Sequence, residues 1–220
     1  MDPQVQQAQQ IAQSPQPSQG QSPDLLSSKL AGTMVQKNFL DFLLTKIAQK
    51  AGGEFTSRVK NPDTVVQKIA KKQANGRKYD LNDVNDLYGA RIVVDTDKFP
   101  EVTKMIDKAG DLGVFDIKKT EVVSDGSHQA HHIDFDSNGV KGEIQIMNAK
   151  DELKSVAEHP MYAAIGEKLP PQMKELAQTQ SKVIDGIGKS EAHQKALQIQ
   201  QVTQNQKNVD PRLIAGILKH

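Results

Sequence analysis

Apolar residues recur at helical spacing from Leu25 to Lys50, at Leu26, Leu30, Met34, Phe39, Leu43 and Ile47, and predict one long helix. A second helix is expected from Pro62, where Asn-Pro-Asp turn chemistry precedes "TVVQKIAKK". "ARIVVDT" reads as a short strand, and "FPEVTKMIDKAG" as a helix ending at Gly110. "VFDIKKTEVV", "HHIDFDS" and "VKGEIQIM" alternate or run as three further strands. Asn138-Gly139 marks a tight hairpin between the last two. From Asp151 to about Ile184 the pattern is helical, interrupted at Pro170-Pro171. The order is helix, helix, strand, helix, three strands, helices. It predicts an α/β (α+β) fold, a mixed sheet flanked by helices.

The ends differ from this middle. Residues 1–23 are rich in Gln, Pro and Ser and are read as a disordered arm, since they offer too little apolar surface to offset chain entropy. Residues 24–185 form the folded domain, and 186–220 a Gln-rich helical tail. That tail closes on "DPRLIAGILKH", with Asp210 as N-cap and Pro211 at the first helical position.

Composition narrows the function. Lys+Arg is 28 against Asp+Glu 27, a balance that argues against duplex DNA held by global charge. There are no cysteines, hence no disulfide framework, thiolate nucleophile or thiolate metal cage, which suits a reducing cytoplasm. No apolar run reaches the ~20 residues of a membrane span, and the first residues lack the pattern of a signal peptide. The expectation is a cytoplasmic protein, with a homo-oligomer or larger assembly open to it through its helical and Gln-rich ends.

Polar residues of the middle segment carry the candidate chemistry. Arg58 and Lys60, two apart on extended chain, project to one face, and Thr64 and Lys68 lie one turn apart on the next helix. Together they offer four groups for phosphate oxygens, although a solvated basic face has the same appearance. Asp86 precedes a strand, Gly89 is expected to allow a close turn, and Arg91 begins the strand. Glu143 shares a strand face with Gln145 and Met147, opposite Ile144 and Ile146. A carboxylate there is costly to bury unless paired or bound to a cation. Asp86 and Glu143 could share a Mg²⁺ ion; alternatively each pairs with Arg91 or a lysine, which spacing alone favours.

"RVKNPDTVVQK", "DLYGARIVVD", "HHIDF", "GEIQI" and "AEHPMY" occur in the order of the RelA/SpoT-type (p)ppGpp synthetase domain, and residues 40–170 resemble that family. Each piece is short; the ordered set is what is specific. The resemblance implies a nucleotidyltransferase-like fold with a helical C-terminal extension. It also implies Mg²⁺-dependent transfer of the β,γ-pyrophosphate of ATP to the 3′-hydroxyl of GDP or GTP. Relatives that modify adenine nucleotides or the tRNA 3′ end make those alternative acceptors, and a degenerate nucleotide-binding module is a further alternative. By the same resemblance Arg58, Lys60 and Lys68 hold ATP, with Arg58 also able to stack on adenine. Asp86 and Glu143 hold Mg²⁺ or, for Glu143, take the 3′-proton. Arg91, Lys118, Lys119, His128 and His132 face the acceptor and the phosphates. No His-Asp hydrolase segment is expected, so the chain should make and not degrade its product.

The histidine-rich "SHQAHHIDF" resembles the family's "GYRALHLDF". His128 then stands where a tyrosine stacks on the acceptor base. His128, Ala130, His132 and Asp134 share one strand face and His131 the other, so the three histidines are not read as zinc ligands. Ser127, Gln129, Met147 and Asn148 replace the family's glycine, an arginine, a second arginine and a threonine. The two lost cations should weaken phosphate binding or shift the acceptor.

Overall fold

The computed structural model describes residues 23–125, 128–165, 171–205 and 211–219. Helix α1 (Pro23–Lys50) leads into strand β1 (Glu54–Val59), helix α2 (Pro62–Ala74), strand β2 (Tyr88–Val93) and helix α3 (Phe99–Asp111). Strands β3 (Asp116–Asp125), β4 (His128–Ser137) and β5 (Val140–Met147) follow, then helices α4 (Ala149–Ile165), α5 (Pro171–Asp185), α6 (Lys189–Asn205) and α7 (Pro211–Lys219). The five strands form one mixed sheet in the order β1-β2-β5-β4-β3. Only β2 and β5 run parallel.

Local signals placed several elements. Asn61 caps α2 by accepting from the Asp63 N–H at 2.9 Å, with Pro62 at the first helical position. Asn138 and Gly139 both take positive φ, 51° and 81°, and close the β4–β5 hairpin in two residues. Gly142 of β5 has another cause. A Cβ there would lie 2.5 Å from the Phe135 ring and 3.0 Å from the Tyr88 carbonyl oxygen, so the tight packing of β5 against that ring requires glycine.

One sheet face makes the main core. Tyr88, Ala90, Ile92, Ile133, Phe135, Ile144 and Ile146 meet Leu40, Leu44 and Ile47 of α1 and Phe99, Val102 and Ile106 of α3. A second cluster joins α4, α6 and α7 through Leu153, Ala157, Ala192, Ala196, Ile199 and Ile214, and a third holds α2 through Val65 and Ile69 to Leu81, Val84 and Leu87.

Three expectations need correction. Strand β1 was absent from the predicted order. The α1 seam runs Leu26, Leu30, Thr33, Leu40, Leu44 and Ile47, while Met34 and Phe39 are exposed. Its polar members are the reason: Thr33 returns its hydroxyl to the Lys29 carbonyl at 2.8 Å, and Lys37, which lies on the same seam, is bound to Asp41 and Ser57. An apolar pattern passes over both. Arg91 lies mid-strand, and Gly89 is a strand residue and not a turn. The 1–22 part of the arm, Asp210 as a cap and the Pro170 break lie outside the described residues. Among those residues, no helix is long and apolar enough to cross a membrane.

Candidate active site

Register brings the predicted residues together. Arg58 of β1 is paired with Gly89 of β2, Gly89 with Glu143 of β5, Glu143 with Asp134 of β4, and Asp134 with Lys119 of β3. Directly paired residues share a face, so this row crosses the whole sheet on the side away from the main core. The next row on that face reads Thr56, Arg91, Gln145, His132 and Glu121. Gly89 keeps the floor low between Arg58 and Glu143; a Cβ there would already touch the Arg58 side chain at 3.7 Å.

A cleft of about 210 Å³ opens over these rows, lined by Arg58, Asp86, Arg91, Glu143, Gln145 and, from the opposite side, residues of α4 and α6. A larger hollow of about 640 Å³ between α6 and α7 holds none of the sequence-predicted residues.

The charges in the cleft are paired. Asp86 takes Lys60 on one carboxylate oxygen and Lys68, at 2.8 Å, on the other. Burial pushes the Asp86 carboxyl up, but the two ammonium groups outweigh it and hold it below its ordinary range. The lysines differ. Burial beside Lys68 and Arg58 leaves Lys60 below its usual value despite Asp86, whereas Asp86 carries Lys68 above its own. Lys60 is the more enclosed, 13% exposed against 30%, which accounts for the opposite directions.

Glu143 has His132 Nδ1 at 3.3 Å on one oxygen, and the other accepts from Gln145 Nε2 at 2.7 Å. Burial raises its carboxyl, yet the His132 and Gln145 contacts bring it below the ordinary range. Asp134, cross-strand from Glu143, is pushed up by burial and then by that like charge. Neither catalytic candidate pairs with Arg91. The guanidinium donates to Gln145 Oε1 at 3.1 Å and lies 3.7 Å from Glu152, whose side chain is fully buried. Glu152 in turn meets His193 Nδ1 at 2.7 Å, and His193 Nε2 reaches Glu54 at 2.5 Å.

The remaining candidates are dispersed. Lys119 sits in the sheet row but pairs with Glu121 at 2.6 Å. Lys118 falls at the β3 bulge, has no cross-strand partner and pairs with Asp116. Neither lines the cleft; Lys60, Lys68 and His132 do not line it either, but contact its Asp86 and Glu143. His131 lies on the opposite face to His132 and contacts the Phe99 ring edge-on at 5.1 Å. The side chain of His128, and all of Ser127, lie outside the described residues, as do the side chains of His159 and Tyr162. Met147 is buried at 1% exposure, so the position of the lost arginine is closed to solvent. Asn148 serves the fold: its Oδ1 accepts from the N–H groups of Lys150 and Asp151 at 3.0 and 2.9 Å and caps α4, as a threonine would. Sequence reasoning missed Glu152 and Ser155, which precede the "AEHPMY" motif on α4, and His193, Gln200 and Thr203, which come from α6, a helix with no motif of its own.

This architecture, a five-stranded mixed sheet flanked by helices with carboxylates and lysines paired on the face away from the main core, is a nucleotidyltransferase-like fold. The sequence model described as the region found in RelA / SpoT proteins matches residues 57–166, half of the chain, and the chain belongs to that family. Among solved structures it is similar to the small alarmone synthetase 1 from Bacillus subtilis, at 18% identity and TM-score 0.61, over 83% of this chain and 100% of that one. It also resembles that synthetase bound to its product pppGpp, at 16% identity and TM-score 0.51, over 76% and 92%. The Type VI effector Tas1, solved in complex with its immunity protein, is similar at 18% identity and TM-score 0.53, over 80% and 99%. At these identities the likeness establishes the fold. No curated protein sequence matches the chain.

Proposed function

We propose that this cleft transfers the β,γ-pyrophosphate of ATP to the 3′-hydroxyl of GDP or GTP. The observation that carries the reading is the convergence of Arg58, Asp86 with its two lysines, and Glu143 on one cleft of a RelA/SpoT-type sheet. The acceptor 3′-oxygen bonds to the β-phosphorus, the bond from that phosphorus to the oxygen bridging the α-phosphorus breaks, and AMP leaves. The 3′-proton passes to Glu143, held ionised by its contacts with His132 and Gln145. Arg58, Lys60 and Lys68 hold the donor phosphates, because their cationic groups already surround a carboxylate that an anion can replace. Arg91 fixes Gln145 and hence Glu143.

Asp86 fits a Mg²⁺ ion, with Glu143 as a second ligand where it does not serve as the base: both are oxygen donors on the same cleft, and both are held in the ionised form. Bound there, the ion would supply neutralisation of polyphosphate charge.

A second reading keeps the chemistry and changes the acceptor to an adenine nucleotide or the tRNA 3′ end. It is favoured by His128 at the position of the family's stacking tyrosine and by the buried Met147 where the family has an arginine. The deciding experiment supplies labelled ATP with GDP, GTP, ADP, ATP or tRNA in turn. Label on guanine nucleotides supports the first reading, label on ADP, ATP or tRNA the second, and label on none removes both.

A further inference from the structure

The two sides of the cleft differ in chemistry. The sheet side carries Arg58, Asp86, Arg91 and Glu143, whereas the helical side presents Ser155 and Val156 of α4 and Gln200 and Thr203 of α6, all uncharged. Helix α6 lies beyond residues 57–166, so the Gln200 and Thr203 part of this wall falls outside the family match.

Its placement is not loose. His193, Gln200 and Thr203 follow one another at about two turns and then one, and so lie on one stripe of α6. His193 fixes the rotation of that stripe by meeting Glu152 at 2.7 Å and Glu54 at 2.5 Å. Thr203 donates its hydroxyl to the Gln200 backbone carbonyl at 3.0 Å.

The carboxamide of Gln200 is oriented as well. Its Nε2 donates to Glu152 Oε1 at 3.4 Å. Glu152 is buried and charge-paired with Arg91, and an ionised carboxylate only accepts, so the NH₂ end must face it. Oε1 is then the free end of the amide, an acceptor with no hydrogen bond among the described residues, on a residue that lines the cleft.

The geometry points to Gln200 as a specificity-determining residue: its Oε1 accepts a hydrogen bond from the exocyclic amino group of the donor's adenine. The assignment rests on the reading of the cleft as a pyrophosphate-transfer site. The donor, not the acceptor, is indicated because α6 is moored through Glu54 to β1, the strand that also carries Arg58, and away from β4 in the sheet order. A purine with a carbonyl at that position would set two acceptors against each other, so the wall selects ATP over ITP or GTP as donor.

The test uses the full chain with Mg²⁺ and measures equilibrium binding of α,β-methylene-ATP and its inosine counterpart, alongside transfer from ATP and ITP. The wild type should bind the adenine analogue roughly five- to tenfold more tightly, the worth of one neutral hydrogen bond. Gln200→Leu should bring that ratio near one, by weakening the adenine analogue and by removing the opposed acceptor that disfavours the inosine one. Gln200→Asn, too short to keep both contacts, should lie between. An unchanged ratio in Gln200→Leu, or no preference in the wild type, overturns the assignment. Transfer from neither donor, with the binding ratio behaving as stated, overturns the proposed activity and leaves the Gln200 assignment standing; binding of neither analogue overturns both.

Discussion

Glu152 should be the most costly side chain to truncate outside the apolar core. It is fully buried and closes a network of three donors: the Arg91 guanidinium at 3.7 Å, His193 Nδ1 at 2.7 Å and Gln200 Nε2 at 3.4 Å. Glu152→Ala leaves the Arg91 charge, itself enclosed and with an unsatisfied Nε, without its buried counter-ion. Breaking a buried pair in this way typically costs about 3–5 kcal/mol. Total stabilities are about 5–15 kcal/mol, so the loss is a large share of the whole. For a chain of this size it corresponds to a fall of roughly 6–20 °C in Tm. His193→Ala should cost less, about 1–3 kcal/mol, because Glu152 keeps Arg91. The double variant should fall short of the sum, as the two share one network. The chain has no tryptophan, so urea and thermal unfolding are followed by far-ultraviolet circular dichroism. A loss below about 1 kcal/mol for Glu152→Ala would refute the view that this network joins α6 to the sheet.

Asp86→Asn should lower Mg²⁺-dependent transfer about 100-fold or more, since it removes a carboxylate from the proposed cation site; the labelled-ATP assay reads this, and normal turnover sinks the assignment. Gly142→Ala should destabilise by about 1–3 kcal/mol through overpacking against Phe135, measured by urea unfolding; a neutral effect would show that the ring moves aside freely. Asp86 and Glu143 are both held below their ordinary values, about 3.9 and 4.3 when unfolded. Their contribution to stability is therefore full above those values and is lost as pH falls through the lowered folded ones, so unfolding midpoints should be level from pH 7 to about 5 on their account and Asp86→Asn should shallow the decline below about 4. Asp134 has the opposite sign, its carboxyl raised by burial and by Glu143, so Asp134→Asn should raise the Tm at neutral pH; a fall would contradict the repulsion.

The sequence was legible wherever a local rule decides structure. Asn138-Gly139, Asn61-Pro62 and the alternation of Glu143 through Met147 each follow from turn chemistry or pleat, and the structure follows them. Strand β1 escaped because it is an edge strand whose alternate positions are the polar Thr56 and Arg58, facing the cleft, and Ser57, bound to Asp41 at 2.7 Å on the other face. The packing of helix α6 over the cleft, unlike its helicity, escaped for another reason. Its buried stripe includes two alanines, Ala192 and Ala196, set among glutamines, so the apolar signal is weak. The burial of Glu152 is legible in no window at all. It depends on Arg91 and His193, which are far away in the chain and become neighbours only when α4 and α6 cover the sheet.

The paired charges of the cleft bear on why such a site is built at a cost to the free protein. Lys60 is held below its ordinary value even with Asp86 in contact, because burial and the nearby Lys68 and Arg58 together outweigh that carboxylate. In the free protein one carboxylate thus serves two ammonium groups and has a guanidinium close by. That local excess of positive charge is a destabilising arrangement for a fold alone and a favourable one for a polyphosphate, whose oxygens can give each cation its own partner. The same shift would release Asp86 from its lysines while leaving it ionised, as a hard-cation ligand must be. The departures at Gln129 and Met147 act in the other direction, since each removes a cation the family places there. On the proposed function, the net affinity for phosphate would rest on the Arg58, Lys60 and Lys68 cluster to a greater degree than the family pattern implies. Acceptor choice would then be left to the β4 side, where His132 and the sequence position of His128 stand.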